Sequence, residues 1–252
     1  MGCGPAQPEA PDARNNKQAI TIYGDYFSAD TRALVAMCKM AGIEFTFEMV
    51  DTLDGANQHE DYLRKNPTGA VPMLSVGNNN VISQGQVLFD WIIQTCPKAK
   101  ELFYHDDQES KINAIQRFFF REMRGNTSQL IRRLALKKLD PASAPDTNNP
   151  EVKKKVEVRM AEFEQKRLSK LGELLNEHKN LTGNDISFVD IVVCCEVYQV
   201  LSMYDRVIPP HMAKLSEWYE EMGEVEVIKE MNQKLNEVID MHGLKETVTL
   251  LA

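Results

Sequence analysis

Asn66-Pro67-Thr68-Gly69-Ala70-Val71-Pro72-Met73-Leu74 is the stretch whose reading decides the fold. Pro72 leads an apolar run, Met73-Leu74-Ser75-Val76. A proline cannot donate a ladder hydrogen bond, so it belongs at the first residue or on the edge of a strand. Val71 before it is pushed towards extended geometry. The local residues alone favour a trans bond at a strand start, yet the cis form of an X–Pro bond lies only about 0.5–1 kcal/mol higher. A cis bond here would turn the chain sharply. It would leave the Val71 N–H and C=O facing outward, where an extended peptide could pair with them as an added strand does.

Upstream of that turn, Ala19-Ile20-Thr21-Ile22-Tyr23 alternates and is β-branched, which predicts a first strand. Ser28 or Asp30 can cap the helix that follows, whose apolar face carries Leu34, Met37, Cys38 and Ala41 and which stops at Gly42. Glu44 to Met49 alternates again as strand two, and Asp51 to Lys65 is polar with a short helix at best. Downstream, Met73–Val76, the turn Gly77-Asn78-Asn79-Asn80 and Val81-Ile82 form a hairpin before a helical stripe of Val87, Leu88, Trp91 and Ile92. A βαβ crossover gives parallel strands and the hairpin an antiparallel pair, so residues 19–98 are predicted to form a four-stranded mixed sheet of thioredoxin-like architecture.

Residues 99–108 read as a linker, and from Glu109 to the end, residues 109–252, every pattern is helical. The fold expected is therefore an α/β thioredoxin-like domain followed by an all-α domain. One helix start is strongly marked. Ser187-Phe188-Val189-Asp190 is a variant of the capping box, with Ile186 and Ile191 placed as a hydrophobic staple, and the helix beyond is almost wholly apolar and should be the core of the second domain.

The composition is that of a globular chain, 43% hydrophobic and 26% charged, with a formal net charge of -8 and no basic stripe, which removes nucleic acid as a partner. Five cysteines at irregular spacing suggest neither a disulfide framework nor a zinc site, and no metal is expected. Cys194-Cys195 reads as core, and a reducing, cytoplasmic setting fits. No run reads as a membrane span or a secretory signal. Residues 1–18, with Pro5, Pro8 and Pro11, read as a disordered tail; Met1-Gly2-Cys3 is also compatible with acylation at Gly2 and Cys3 as a membrane anchor, although Ala6 stands where that motif wants Ser or Thr.

The order of these elements resembles the cytosolic glutathione transferases over about residues 19 to 241. The resemblance is carried by Ile22 to Ala33, Asn66 to Pro72, Ser83-Gln84-Gly85 and Thr182 to Asp190, each weak alone and strong in this order and spacing. The first stretch looks most like the theta-type branch: Ser28 stands four residues before Arg32, as the activating serine there stands before a structural arginine, while Tyr26 occupies the place of the sigma-type tyrosine.

The resemblance implies a detoxifying enzyme that uses glutathione as co-substrate. Ser28, with Tyr26 as the alternative, would stabilise the thiolate, although a plain N-cap is the local reading of Ser28. Val71 would pair with the cysteinyl part of glutathione, with Pro72 cis, and Gln84 and Gly85 would hold the γ-glutamyl end. Gly85 departs from the usual serine and keeps only an N–H at a helix start; Ala70 departs from a common lysine. His59 is placed for the glycyl carboxylate, or is simply a loop histidine. Phe119, Met123 and Arg124, with Arg121 and the C-terminal tail, would line the electrophile pocket, whereas the run Phe118-Phe119-Phe120 alone reads as core and dimer packing. Family partners would be glutathione, a small electrophile and a second copy in a homodimer. A non-catalytic relative that docks into a larger complex is the other reading the fold allows.

Overall fold

The computed structural model describes residues 19–77, 80–83, 85–105, 108–144, 146 and 149–246. The expected N-terminal tail with Gly2 and Cys3, Gln84, and the last six residues lie outside the described residues.

The sheet has the order β2-β1-β3-β4, with β1 (Ile20–Gly24) at its centre. β2 (Thr46–Met49) runs parallel to β1, and β3 (Met73–Val76) antiparallel, in a register that sets Ile22 opposite both Phe47 and Leu74. β4 (Asn80–Ser83) closes the edge as the antiparallel hairpin partner of β3. Ile22, Met73 and Leu74 are fully buried; Ile22 and Leu74 belong to the main core, and Met73, on the opposite face of β3, to a second cluster with Val50 and Tyr62. The mixed four-stranded sheet is the one the sequence predicts.

Helix α1 (Ala29–Met40) is buried along most of its length because it serves both domains. One face covers the sheet and the other packs on α9 (Phe188–Met203). Arg32, fully buried, crosses that seam: its Nη2 donates to the Cys195 carbonyl at 3.0 Å and to Gln199 Oε1 at 2.9 Å, while Nε and Nη1 have no partner. A short α2 (Glu60–Leu63) precedes the proline turn, and α3 (Gly85–Thr95) follows β4.

The linker departs from expectation. It holds a helix, α4 (Pro97–Phe103), with Pro97 at the first helical position, where a missing N–H does no harm. The predicted helix from Glu109 to Lys138 is α5 (Glu109–Phe118) continued through a π-type stretch, Phe119–Met123, into α6 (Arg124–Leu139). The predicted run from Glu151 to Lys179 is shorter: α7 (Pro150–Glu162) passes through a second π-type stretch into α8 (Ser169–Leu174). α10 (Ala213–Glu224) and α11 (Glu226–His242) finish the helical domain.

The capping box at the head of α9 forms as the sequence indicates. Asp190, with no solvent exposure, accepts from the Ser187 N–H at 2.9 Å, the Leu181 N–H at 2.8 Å and Trp218 Nε1 at 3.1 Å. Cys194 and Cys195 are fully buried within α9, and burial pushes the Cys195 thiol up to about 11, so both behave as core residues. After α11 the chain folds back: the Glu246 N–H donates to the Met203 carbonyl at 2.8 Å, and its carboxylate takes Arg133 at 2.9 Å and Lys137 at 2.8 Å from α6.

Candidate functional site

Three segments carry the site residues expected from the sequence: the start of α1, the turn before β3 and the start of α3. The β1–α1 loop is tied down by Asp25, a buried carboxylate that accepts the Ser28 N–H at 2.8 Å and the Thr52 N–H at 3.0 Å, together with the Thr52 hydroxyl. Burial pushes the Asp25 carboxyl up, against the bonds from Thr52 and Ser28 that favour its charge. The result is a fixed position for Ser28, which caps α1, its Oγ accepting the Thr31 N–H at 3.2 Å. That bond uses a lone pair and leaves the hydroxyl proton to donate. The serine is half-buried and stands at the positive end of a twelve-residue helix. Cap and thiolate donor are therefore compatible roles for one hydroxyl.

Tyr26 is placed differently. Its ring stacks on Phe47 of β2 at 5.0 Å, and its phenol, pushed up by burial, lies in the field of Lys39 at the last turn of α1 and Lys234 on α11. It faces away from the capped end of α1.

The Val71–Pro72 bond is cis. The β3 ladder begins at Met73, so Val71 stands just outside it. The turn is fastened from behind: Tyr62 Oη and the buried Asn66 Nδ2 both donate to the Ala70 carbonyl, at 2.6 and 2.8 Å, and Asn57 Nδ2 donates to the Gly69 carbonyl at 2.8 Å. Tyr62 and Asn57 carry no local signal of this role, because each acts on the backbone of a different segment, whereas Asn66 lies in the turn itself, four residues before the carbonyl it holds. His59 is exposed and opens onto a shallow hollow lined by Tyr23, Val50, Tyr62 and Lys65 rather than by Ser28 or Gly85.

Gly85 opens α3, and the space a side chain would take there is filled. A β-carbon on Gly85 would stand 2.5 Å from Asp30 Oδ2. Asp30 is gripped by Arg124, whose Nη1 and Nη2 donate to its two oxygens at 2.7 Å each; Nη2 also reaches Glu196 Oε2 at 3.2 Å. Glu196 in turn accepts the Thr127 hydroxyl. Burial works against the Arg124 charge, and Glu196 and Asp30 outweigh it, so the guanidinium stays protonated. It also lies over the rings of Phe119 and Phe120, at 4.7 and 5.1 Å. One arginine thus serves two carboxylates across the domain seam, and one of those carboxylates already faces the α3 N-terminus.

Of the residues expected in the electrophile pocket, Arg124 is committed to this network, and Phe119 and Met123 are 1% and 0% exposed. The π-type stretch turns these two side chains into the core and leaves Phe120 half-buried and Arg121 exposed on the outer face.

Comparison with known proteins agrees with this architecture. The family model for the N-terminal domain of glutathione S-transferase matches residues 19–93, and that for the C-terminal domain matches residues 136–234, together more than half of the chain. A Drosophila melanogaster protein, glutathione S-transferase D7, is 23% identical over 101 residues, which is 40% of this chain; the match spans 45% of that relative, less than half its length. Among solved structures, an epsilon-class glutathione S-transferase from the housefly Musca domestica aligns at a TM-score of 0.74 and 17% identity, over 91% of this chain and 100% of the other. A glutathione transferase homologue from Drosophila mojavensis, solved with bound glutathione, aligns at 0.75 and 17% identity, over 92% and 100%. At such identities the structures establish the fold.

Proposed function

The chain belongs to the glutathione S-transferase family, and from that premise we propose that it conjugates the thiolate of glutathione to small electrophiles, with Ser28 stabilising the thiolate. The observation that carries this reading is the Ser28 hydroxyl, fixed at the head of α1 with its proton left to donate. A thiol of this type has a reference pKa of about 8.5, so it is mostly protonated near neutrality. A hydroxyl aimed at sulfur, at the positive end of a helix, favours the anion. The Val71 backbone, outside the β3 ladder, is the partner for the cysteinyl unit; Gln84 and the Gly85 N–H are assigned the γ-glutamyl end, and His59 the glycyl carboxylate. On the electrophile side, Phe119 and Met123 support the surface from beneath and Arg124 forms one wall. The spacing of Ser28 and Arg32 suits a theta-type relative. Tyr26, stacked on Phe47, is the weaker candidate for the thiol.

A homodimer and a cytoplasmic setting complete the proposal. Val81 on β4 and Val87 on α3 are 44% and 52% exposed, apolar groups that a second copy would cover. Among the described residues no helix is long and apolar enough to cross a membrane.

A second reading, a docking module without catalysis, has its own support. Asp30 fills the place beside the α3 N-terminus where a substrate carboxylate would be received, and like charges there repel. Retention on immobilised glutathione, followed by turnover of chlorodinitrobenzene by wild type and Ser28→Ala, separates the two. Binding with Ser28-dependent turnover supports the enzyme; neither binding nor turnover leaves the docking module.

A further inference from the structure

At the opposite end of α1 from Ser28, about 18 Å away at 1.5 Å per residue, a groove of about 1170 Å³ opens between α4, the loop leading into α9, and helices α10 and α11. Its floor is apolar and closed: Phe103 and Cys194 are buried there, and Tyr198 and Tyr219 lie along it with their rings stacked at 6.3 Å and 25°. The Tyr198 hydroxyl accepts from Asn236 Nδ2 at 2.8 Å. Asn232 also lines the groove. It is 6% exposed, and its Oδ1 is buried with no hydrogen-bond partner. A buried amide oxygen without a donor is rare because its lost hydration is not replaced.

The rim carries both signs of charge, with the negative in excess. Lys179 and Lys229 stand on it, and each is already paired, with Glu221 at 3.1 Å and with Glu224 at 3.2 Å. Among the described residues no cation pairs with Asp185 or Glu220, so the mouth of the groove is net negative. Two tyrosine faces, an orphan acceptor and an acidic mouth all favour the same guest, since ring faces and carboxylates attract cations and a carbonyl oxygen needs an N–H. Phosphates and glutathione, which are anionic, are disfavoured by the same features.

We propose that this groove is a second binding site, separate from the Ser28 site, for an apolar molecule bearing a protonated amine, the ammonium resting on the tyrosine rings with the Asn232 amide turning to offer it Oδ1, and the apolar body resting on Phe103 and its neighbours.

Calorimetry on the full chain tests this with phenylbutylamine and, as a control of equal body and opposite charge, phenylbutyrate. The amine should bind and the carboxylate should bind at least about tenfold more weakly. Asn232→Leu should weaken the amine about tenfold or more, with an unchanged response to glutathione. Should Asn232→Leu fail to fold, the double variant Asp185→Lys with Glu220→Lys, both at exposed positions, decides instead: it should lose the preference for the amine. No heat with the amine, equal binding of the two probes, unaltered amine affinity in the variants, or displacement of the amine by glutathione would each overturn the proposal. The last would place the amine in the other site and leave the transferase reading intact.

Discussion

Asp30 and Gly85 are fitted to one another across the space between α1 and α3: the carboxylate of the first stands where the side chain of the second would begin. Gly85→Ser should therefore push Asp30 off Arg124. Breaking one partner from a half-buried bidentate pair should cost about 1–3 kcal/mol in urea unfolding. Asp30→Ala combined with Gly85→Ser should recover only the part that comes from crowding, because the pair with Arg124 stays lost while Arg124 keeps Glu196. The double variant should also bind glutathione more tightly than wild type, by about ten- to a hundredfold, the worth of one charge-assisted hydrogen bond. A single variant as stable as wild type would show that the two residues are not coupled.

Ser28→Ala separates the cap from the chemistry. Loss of the Thr31 N–H acceptor should lower stability by about 0.5–2 kcal/mol. Turnover should fall much further, by about a hundredfold or more, as for loss of a donor to a developing anion. The pH–rate profile should shift towards the free-thiol value of about 8.5. Tyr26→Phe should leave the rate within a fewfold of wild type, because its ring lies against Phe47. A rate loss in Tyr26→Phe and not in Ser28→Ala would reverse the assignment.

Glu246 should make stability depend on pH below the neutral range. Burial opposes its charge, but Arg133 and Lys137 outweigh burial and hold its carboxyl below the usual value of 4.5. The unfolded chain then binds more protons than the folded one as the pH drops through that window. Its contribution is complete above about pH 4.5 and fades as the pH falls through the depressed folded value. Glu246→Gln should melt lower than wild type by about 1 kcal/mol near neutrality, an amount reduced by the partial exposure of Lys137. The gap should close in acid. A gap that widens in acid would contradict the sign.

Arg32→Ala should cost about 3–4 kcal/mol, since it opens a cavity in the seam and leaves the Cys195 carbonyl and Gln199 without their donor. Arg32→Met, similar in length and apolar, should cost less, about 1–2 kcal/mol, because it also removes a buried charge with two unbonded nitrogens. Urea unfolding of the two variants side by side checks the order.

The mixed sheet, the capped head of α9 and the buried cysteines were legible in the sequence, because each follows from contacts within a few residues or from a short period; the strand order was not, and the cis bond of the proline turn came from the family resemblance, since the local residues favour trans. Ser28 was legible as a candidate for the same reason. The pairing of Asp30 with Arg124 was not, for its partners are 94 residues apart and each has a plausible local role, one as a cap and one as a pocket wall. Gly85 is the trace it leaves in the sequence, since no side chain can start where Asp30 stands. α4 was hidden by its brevity and its proline, and the inward turn of Phe119 and Met123 by a π-type stretch that shifts the helix face without changing its composition.

Arg32 waits a long time for its partners. The carbonyl it needs lies 163 residues further along the chain, so at synthesis rates of about 5–20 residues per second roughly 10–30 seconds separate the two. During that interval the uncovered flank of α1 carries a hydrated cation amid its greasy side chains. A charge that is poorly served in the finished molecule is thus fully hydrated on the unfinished one, until α9 arrives to cover it.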